Sequence, residues 1–341
     1  MAKKKKEEPP KAAPAGKPLN RSLTVAKAAK QDEFYTQLSD IEKELRHYAK
    51  HFKNKTVLCN CDDPRVSNFF KYFVNNFEKL GLKKLIATCY KNDQPDLFSQ
   101  NKSARGIYFE YSGEQKKQRL PDPAKIKPRE LKSDGDFRSE ECVNLLKQAD
   151  IVVTNPPFSL FTYYITHLAK SRKKFLVIGN HNAIIYKEIF GLIKENKIWL
   201  GYTHPVVPDH YEMRAVRSWR DENGTNWRSL GNACWFTNLD IEKRHEDLVL
   251  YKQYTPQEYP KYENYDAIEV ARVADIPLDY DGVMGVPVTF LEKYNPDQFE
   301  IVGSNRGVDQ DPNGIYGRGS HLNGKETFKR IFIRNKQLRK K

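Results

Sequence analysis

Ala149-Asp150-Ile151-Val152-Val153-Thr154-Asn155-Pro156-Pro157-Phe158 carries the fold in ten residues. The first six read as a short apolar strand. The last four form a stiff loop, because proline fixes its own φ and forces the residue before it extended. A strand without alternation is buried on both faces, as in a parallel sheet covered by helices. The flanking sequence repeats the theme. Residues 56–61 read as a first strand, broken by Asp62-Asp63-Pro64. Residues 66–80 then read as an aromatic-rich helix stopped by Gly81. Residues 84–90 form a second strand, 161–169 a helix and 174–179 a fourth strand. Ahead of these, Ile41, Leu45, Tyr48 and Phe52 fall at helical spacing. The alternation predicts an α/β chain with a mostly parallel central sheet. Ligands in such sheets bind at the carboxyl ends of the strands, so the residues after each strand are the informative ones.

Asn155-Pro156-Pro157-Phe158 follows the third strand. Two prolines remove two backbone donors and leave acceptors: the Asn155 side-chain oxygen and the Pro156 carbonyl. An aromatic amine such as adenine N6 is a poor nucleophile, because its lone pair is delocalised into the ring. Two acceptors on its N–H groups favour a pyramidal nitrogen and stabilise the positive charge growing there. Phe158 can stack on the base. The same residues could also be a turn with an Asn helix cap. Three further segments weigh against that simpler account. Phe34-Tyr35-Thr36 precedes the first strand, and Asp62-Asp63-Pro64 follows it. Gly135-Asp136-Phe137 precedes the Asn155 strand, with a carboxylate for an adenine amino group and a ring to stack on it. Asp62 and Asp63, taken singly, could equally cap the next helix.

The chain has 341 residues and a formal net charge of +14, which fits equally a surface that attracts polyanions such as nucleic acid and a solvated surface tuned for solubility. The cysteines are Cys59, Cys61, Cys89, Cys142 and Cys234; an odd number with no secretory signal argues for free thiols in a reducing compartment. Cys59 and Cys61 lack a second pair at zinc spacing and read as buried strand cysteines, so no metal is expected. No stretch approaches the roughly 20 apolar residues of a membrane span. Residues 1–30 are rich in Lys, Pro and Ala and read as a disordered basic tail. Residues 91–132 form a polar insertion around a strand at 106–111. Residues 205–230 read as a loop dense in Arg, Trp, Asn and His, followed by a strand at 233–237. The region 241–341 is mixed and closes on a basic strand at 328–334.

On these residues the chain resembles the adenine-specific DNA methyltransferases, and among them the EcoRI-type modification methylases. The resemblance is carried by Asp32-Glu33-Phe34-Tyr35-Thr36-Gln37, by residues 59–70, by Gly135-Asp136-Phe137-Arg138-Ser139 and by Thr154-Asn155-Pro156-Pro157-Phe158-Ser159. It continues through Trp235-Phe236-Thr237-Asn238-Leu239 and Lys293-Tyr294-Asn295-Pro296. It implies a Rossmann-like fold, S-adenosylmethionine as donor and N6-methylation of adenine at specific sites in double-stranded DNA. Asn155, Pro156, Pro157 and Phe158 would be catalytic. Phe34, Tyr35, Thr36, Asp62, Asp63, Asp136 and Phe137 would hold the cofactor. Residues 31–240 would form the catalytic domain, with a DNA-facing loop at 205–230, and 241–341 a C-terminal region for DNA recognition. Arg214, Arg217, Arg220 and Arg228 in the basic loop are the DNA-binding candidates. The chain would be either the modification enzyme of a restriction–modification system, alongside a cognate restriction endonuclease, or an orphan methylase, in a cytoplasmic, nucleoid-associated location of bacterial type. One departure stands out: Asp62-Asp63-Pro64-Arg65 has no glycine where such enzymes turn tightly after the first strand, and no acid closes the second strand. Methylation of RNA bases or a protein glutamine is the rival with the same chemistry. A non-catalytic DNA-binding protein derived from a methylase is the rival without it.

Overall fold

The computed structural model describes residues 36–90, 105–113, 122–208, 217–220, 226–229, 233–305 and 319–338, with backbone alone for 206–208, 217–220 and 226–229. The expected tail at 1–30, together with Phe34, Tyr35 and Arg214, lies outside the described residues.

Four strands form the centre of the molecule: β1 (Thr56–Asn60), β2 (Lys84–Cys89), β5 (Ile151–Thr154) and β6 (Lys174–Asn180). They pair in parallel in the order β2-β1-β5-β6. On the β2 side, β3 (Ile107–Tyr111) and β4 (Arg129–Glu130) add antiparallel strands. On the β6 side, β11 (Ala233–Thr237) runs antiparallel and is followed by β7 (Trp199–Leu200). The eight-stranded sheet thus reads β4-β3-β2-β1-β5-β6-β11-β7. From β1 the chain moves outward to β2, and from β5 it moves the opposite way to β6. The strand order therefore reverses between β1 and β5, and the crevice above their carboxyl ends is the natural ligand site.

The sheet's period of two divides the core. Leu58, Ile86, Val152, Phe175, Val177 and Phe236 face one apolar cluster, with helices α5 (Glu140–Gln148), α6 (Phe161–Lys170) and α7 (Lys187–Lys194). Val57, Leu85, Val153, Leu176, Ile178 and Trp235 face the other, with helices α1 (Leu38–Leu45), α2 (Ala49–Phe52), α3 (Asn68–Asn75) and α4 (Phe77–Leu80).

Two expected helices are interrupted. The helix over 66–80 begins only at Asn68, because Val66 and Ser67 donate backwards to the Asp63 carbonyl in a turn. It breaks at Asn76, whose side-chain amide donates to the Tyr72 carbonyl and competes with the helical ladder. Gly81 closes α4 at φ +62, the left-handed conformation that favours glycine. The helix over 41–52 is split by a 3-10 turn at Arg46–Tyr48.

Residues 205–230 are not simply a loop. Val206–Pro208 (β8), Arg217–Arg220 (β9) and Asn226–Ser229 (β10) form an antiparallel sheet of order β8-β10-β9. Its register sets Trp219 opposite Trp227. The density of polar residues hid a ribbon whose pairing is set by its own cross-strand neighbours.

Beyond residue 240, β12 (Ala267–Glu269), β13 (Val283–Pro287), β14 (Phe299–Ser304) and β17 (Arg330–Asn335) form a four-stranded sheet of order β12-β13-β17-β14. A small hairpin, β15 (His321–Leu322) with β16 (Lys325–Glu326), precedes β17. The apolar residues of this region are continuous with the main core: Phe290, Phe299 and Ile301 belong to the same cluster as Phe190 and Ile193.

Candidate active site

The third parallel strand ends at Thr154, and Asn155-Pro156-Pro157 leaves it as an irregular loop. Asn155 and Pro156 are buried, whereas Pro157 and Phe158 are half-buried. Phe158 packs against the apolar cluster on the α1–α4 face and opens a 3-10 turn, Phe158–Leu160, that leads into α6. Neither that turn nor α6 has a side-chain cap, so Asn155 is not a helix-capping residue. The capping part of the simpler account is absent, while the turn and the packing of Phe158 on the core agree with it.

Next to this loop is the end of β1. Cys59, Asn60, Asp62, Pro64, Ser67, Phe69, Phe70, Ala87 and Thr154 line a shallow depression, which joins the ends of β1 and β5. Asn60 accepts a hydrogen bond from the buried Tyr164 hydroxyl of α6 at 2.5 Å. This bond fixes the helix after the Asn155 loop to the strand that forms the depression. The expected tight turn is present without glycine: Cys61 takes φ +88 and is half-buried, so it lies beyond the strand rather than within it. A non-glycine residue there is uncommon and costs conformational energy.

The two aspartates after β1 have different surroundings. Asp63 is buried, and its carboxylate is gripped by Arg65 through Nε at 3.0 Å and Nη2 at 2.8 Å. Asp62 lines the depression and accepts from the Ser67 hydroxyl at 3.3 Å. The cap of α3 is Ser67, which accepts from the Phe70 amide, so neither aspartate caps the helix. Thr36 is brought alongside this turn, since the Asn68 side chain donates to its carbonyl at 2.8 Å. The Thr36 hydroxyl is buried and has no hydrogen-bond partner among the described residues.

The Gly135 loop packs against the end of β2. Gly135 has φ +83, and a Cβ there would lie 2.4 Å from the Cys89 carbonyl oxygen at the end of β2. Gly106 meets it from the other side, with room for no Cβ. The glycine pair lets Asp134 and Asp136 approach the carboxyl end of a strand that ends in no acid of its own. Asp136 repeats the Asp63 arrangement two residues ahead of an arginine: Arg138 donates through its backbone N–H and Nε, both at 2.8 Å. The Arg138 hydrogen bonds hold the Asp136 carboxyl below the usual carboxylate range. Phe137 stacks edge-on to Tyr164 with ring centroids 5.0 Å apart, also touching Tyr163.

Thus Asp62 and Thr154 line one depression at the β1 and β5 ends, with Asn155 one residue further on and Thr36 beside the turn, whereas Asp136 follows the glycine packed on the β2 end and Phe137 lies against α6. Arg217, Arg220 and Arg228 fall on β9 and β10, with only their backbone described. Sequence reading missed Asn60, Cys61 and Tyr164. The Asn60–Tyr164 bond spans 104 residues and has no local signature. It also missed Glu44, which is fully buried and accepts from the Tyr202 and Thr203 amides at 2.9 and 2.8 Å. That carboxylate ties α1 to the loop after β7.

An acceptor-rich loop thus stands at the point where strand order reverses, beside a polar depression. The family model described as adenine-specific methyltransferase EcoRI matches residues 22–337. The Type II methyltransferase M.EcoRI of Escherichia coli is 51% identical over 329 residues, covering 94% of this chain and 98% of that protein. M.MgeORF184P of Mycoplasma genitalium is 38% identical, over 92% of this chain and 98% of that protein. M.MpnI of Mycoplasma pneumoniae is 37% identical, over 92% and 97%. No solved structure matches the chain. The chain belongs to the EcoRI-type adenine-specific methyltransferase family, and it is an adenine-specific DNA methyltransferase.

Proposed function

We propose that this chain transfers a methyl group from S-adenosylmethionine to adenine N6 at specific sites in double-stranded DNA, as the modification enzyme of a restriction–modification system. The observation that carries the reading is the position of Asn155: buried, one residue past β5, at the reversal of strand order and beside the depression at the end of β1. The sheet order and this crevice support a Rossmann-like assignment. The Thr36 hydroxyl, without a hydrogen-bond partner among the described residues, and the polar lip of Asn60, Asp62 and Ser67 fit a ligand with hydrogen-bonding groups at that edge. S-adenosylmethionine, when bound, supplies an electrophilic methyl group on a sulfonium.

In this reading the residues of the chain divide the work. Thr36 and Asp62, with Phe34 and Tyr35 ahead of them, bind the amino-acid and ribose part. Asp63 shapes the turn through Arg65. Asp136 has lone pairs beyond those taken by Arg138 and accepts from the donor's adenine amine, while Phe137 offers a ring face. The Asn155 side-chain oxygen and the Pro156 carbonyl accept the N6 hydrogens of the target, align its lone pair and stabilise the charge that develops there. Phe158 stacks on the target adenine, which must leave the duplex to reach this loop, at a cost of a few kcal/mol. Arg214, Arg217, Arg220 and Arg228 hold the phosphates or read base edges.

Nucleoside mass spectrometry after incubation with duplex DNA and labelled donor tests the reading. N6-methyladenine is the expected product. Label appearing only on cytosine, on RNA or on protein would overturn it.

A further inference from the structure

The segment before β17 displays an exposed aromatic ring on backbone that is unusually well held. Phe328 is 71% exposed. A single exposed aromatic is ordinary on a protein surface and signifies nothing alone. What differs here is its mounting. Asn305, fully buried, donates to the Phe328 carbonyl at 3.1 Å and accepts from the Arg330 amide at 2.7 Å. The Thr327 amide donates to the Ser320 carbonyl at 2.7 Å. Arg330 is anchored by its Nε to both oxygens of the buried Glu269 at 3.0 Å. Lys329 reaches across to the main sheet, where its Nζ donates to Asn182 at 2.8 Å.

That last bond places the ring. Asn182 follows the end of β6, the strand beside β5, and Thr154 is level with Val177. With adjacent strands about 4.8 Å apart and a rise of about 3.3 Å per residue, the anchor lies on the order of 10 Å from the Asn155 loop. Phe328 therefore stands at the same carboxyl edge as the chemistry, with the Lys329 ammonium 6.0 Å from its ring centroid. An apolar plane flanked by a cation, on a fixed base, suits a polyanion whose bases stack.

We propose that Phe328 stacks into the duplex beside the extruded adenine, with Lys329 against the adjoining phosphate. This rests on the reading of duplex DNA as substrate. The ring occupies the gap that extrusion opens, so it stabilises the opened duplex rather than the bound donor.

The test is kcat/KM for the full chain and its Phe328→Ala and Phe328→Trp variants on two duplexes. These differ only opposite the target adenine, which faces thymine in one and an abasic site in the other. In the second, the target is already unpaired and extrusion costs less. Phe328→Ala should lose about tenfold on the paired duplex and less than about twofold on the abasic one, in keeping with the worth of one base–aromatic stack. Phe328→Trp should stay close to the parent protein, and donor affinity by calorimetry should be the same in all three. Full activity of Phe328→Ala on the paired duplex, an equal loss on both duplexes, or a Trp variant as impaired as the Ala variant would overturn the proposal. A parent protein inactive on both duplexes would instead refute the proposed function itself.

Discussion

Asn155 stands one residue beyond β5, buried, with prolines on its far side. Its proposed partner is the target amine, so its removal should strike turnover and spare the donor. Asn155→Ala is expected to lower the single-turnover rate roughly 10²-fold or more, as for loss of one aligned group at a developing charge. Donor affinity measured by calorimetry should stay within a small factor of the parent. A variant that loses affinity while keeping its single-turnover rate would move Asn155 to the donor side. Cys61 makes a different demand. Its φ of +88 is one that glycine takes freely and a β-branched residue takes badly. Cys61→Val should lower thermal stability by about 1–3 kcal/mol. Cys61→Gly should melt near the parent, because strain relief is offset by the greater unfolded-state freedom of glycine. Equal melting of the Val and Gly variants would show that the turn is not conformationally selective.

At the scale of elements, the β8–β10 ribbon is the part whose character the sequence least disclosed. Its strands carry Arg217, Arg220 and Arg228, interrupting what composition alone presents as a polar loop. If these arginines meet the phosphate backbone, DNA affinity falls steeply with salt. Each Arg→Ala change should then flatten the log–log salt dependence by about 0.9, one phosphate's worth. Filter binding or fluorescence anisotropy across a salt series measures this. Three variants with the parent slope would place the ribbon away from the backbone. The helices show the complementary lesson. The 66–80 stretch has the aromatic spacing of one helix and becomes two, because Asn76 offers its own side chain to the ladder. Spacing of apolar residues reports which face is buried and is silent about such local competition.

The whole molecule is knit across residue 240. Phe290, Phe299 and Ile301 of the later region share one apolar cluster with Phe190 and Ile193 of α7. Residues 241–341 should therefore not melt apart from the rest, and calorimetry should show a single transition. Two well-separated transitions would mean that the shared core is energetically weak. A polar link crosses the same boundary: His204, after β7, lies 3.4 Å from Glu292. The Glu292 hydrogen bond raises the His204 pKa, and His204 in turn lowers that of Glu292. A raised histidine pKa contributes stability that is full below about 6.5, the unfolded value, and is lost as pH rises through the folded value. The neighbouring His181 acts oppositely, since burial lowers its pKa and its contribution is lost on acidification. Glu292→Gln should thus lower the melting temperature at pH 6 and change it little at pH 9. An equal loss at both values would make the link one of packing alone.

The sequence by itself determined the central strands, the parallel sheet they imply and the positions of the Asn155, Asp62 and Asp136 segments after strands or ahead of them. These are local properties: an unbroken apolar run states its own burial, and a double proline states its own conformation. The tertiary structure alone decided the rest. The positive φ of Cys61 has no marker in a residue type that rarely adopts it. That Asn60 meets Tyr164, that Glu44 meets Tyr202 across 158 residues, and that Lys329 meets Asn182 across 147 are matters of which distant segments come together. Of the later sheet only the strand expected at 328–334 was legible, as β17; β12, β13 and β14 were not, and the order β12-β13-β17-β14 was set by pairing out of chain order. Periodicity records how each segment is buried, whereas register and long-range polar contacts are fixed only when segments far apart in the chain compete for the same partners.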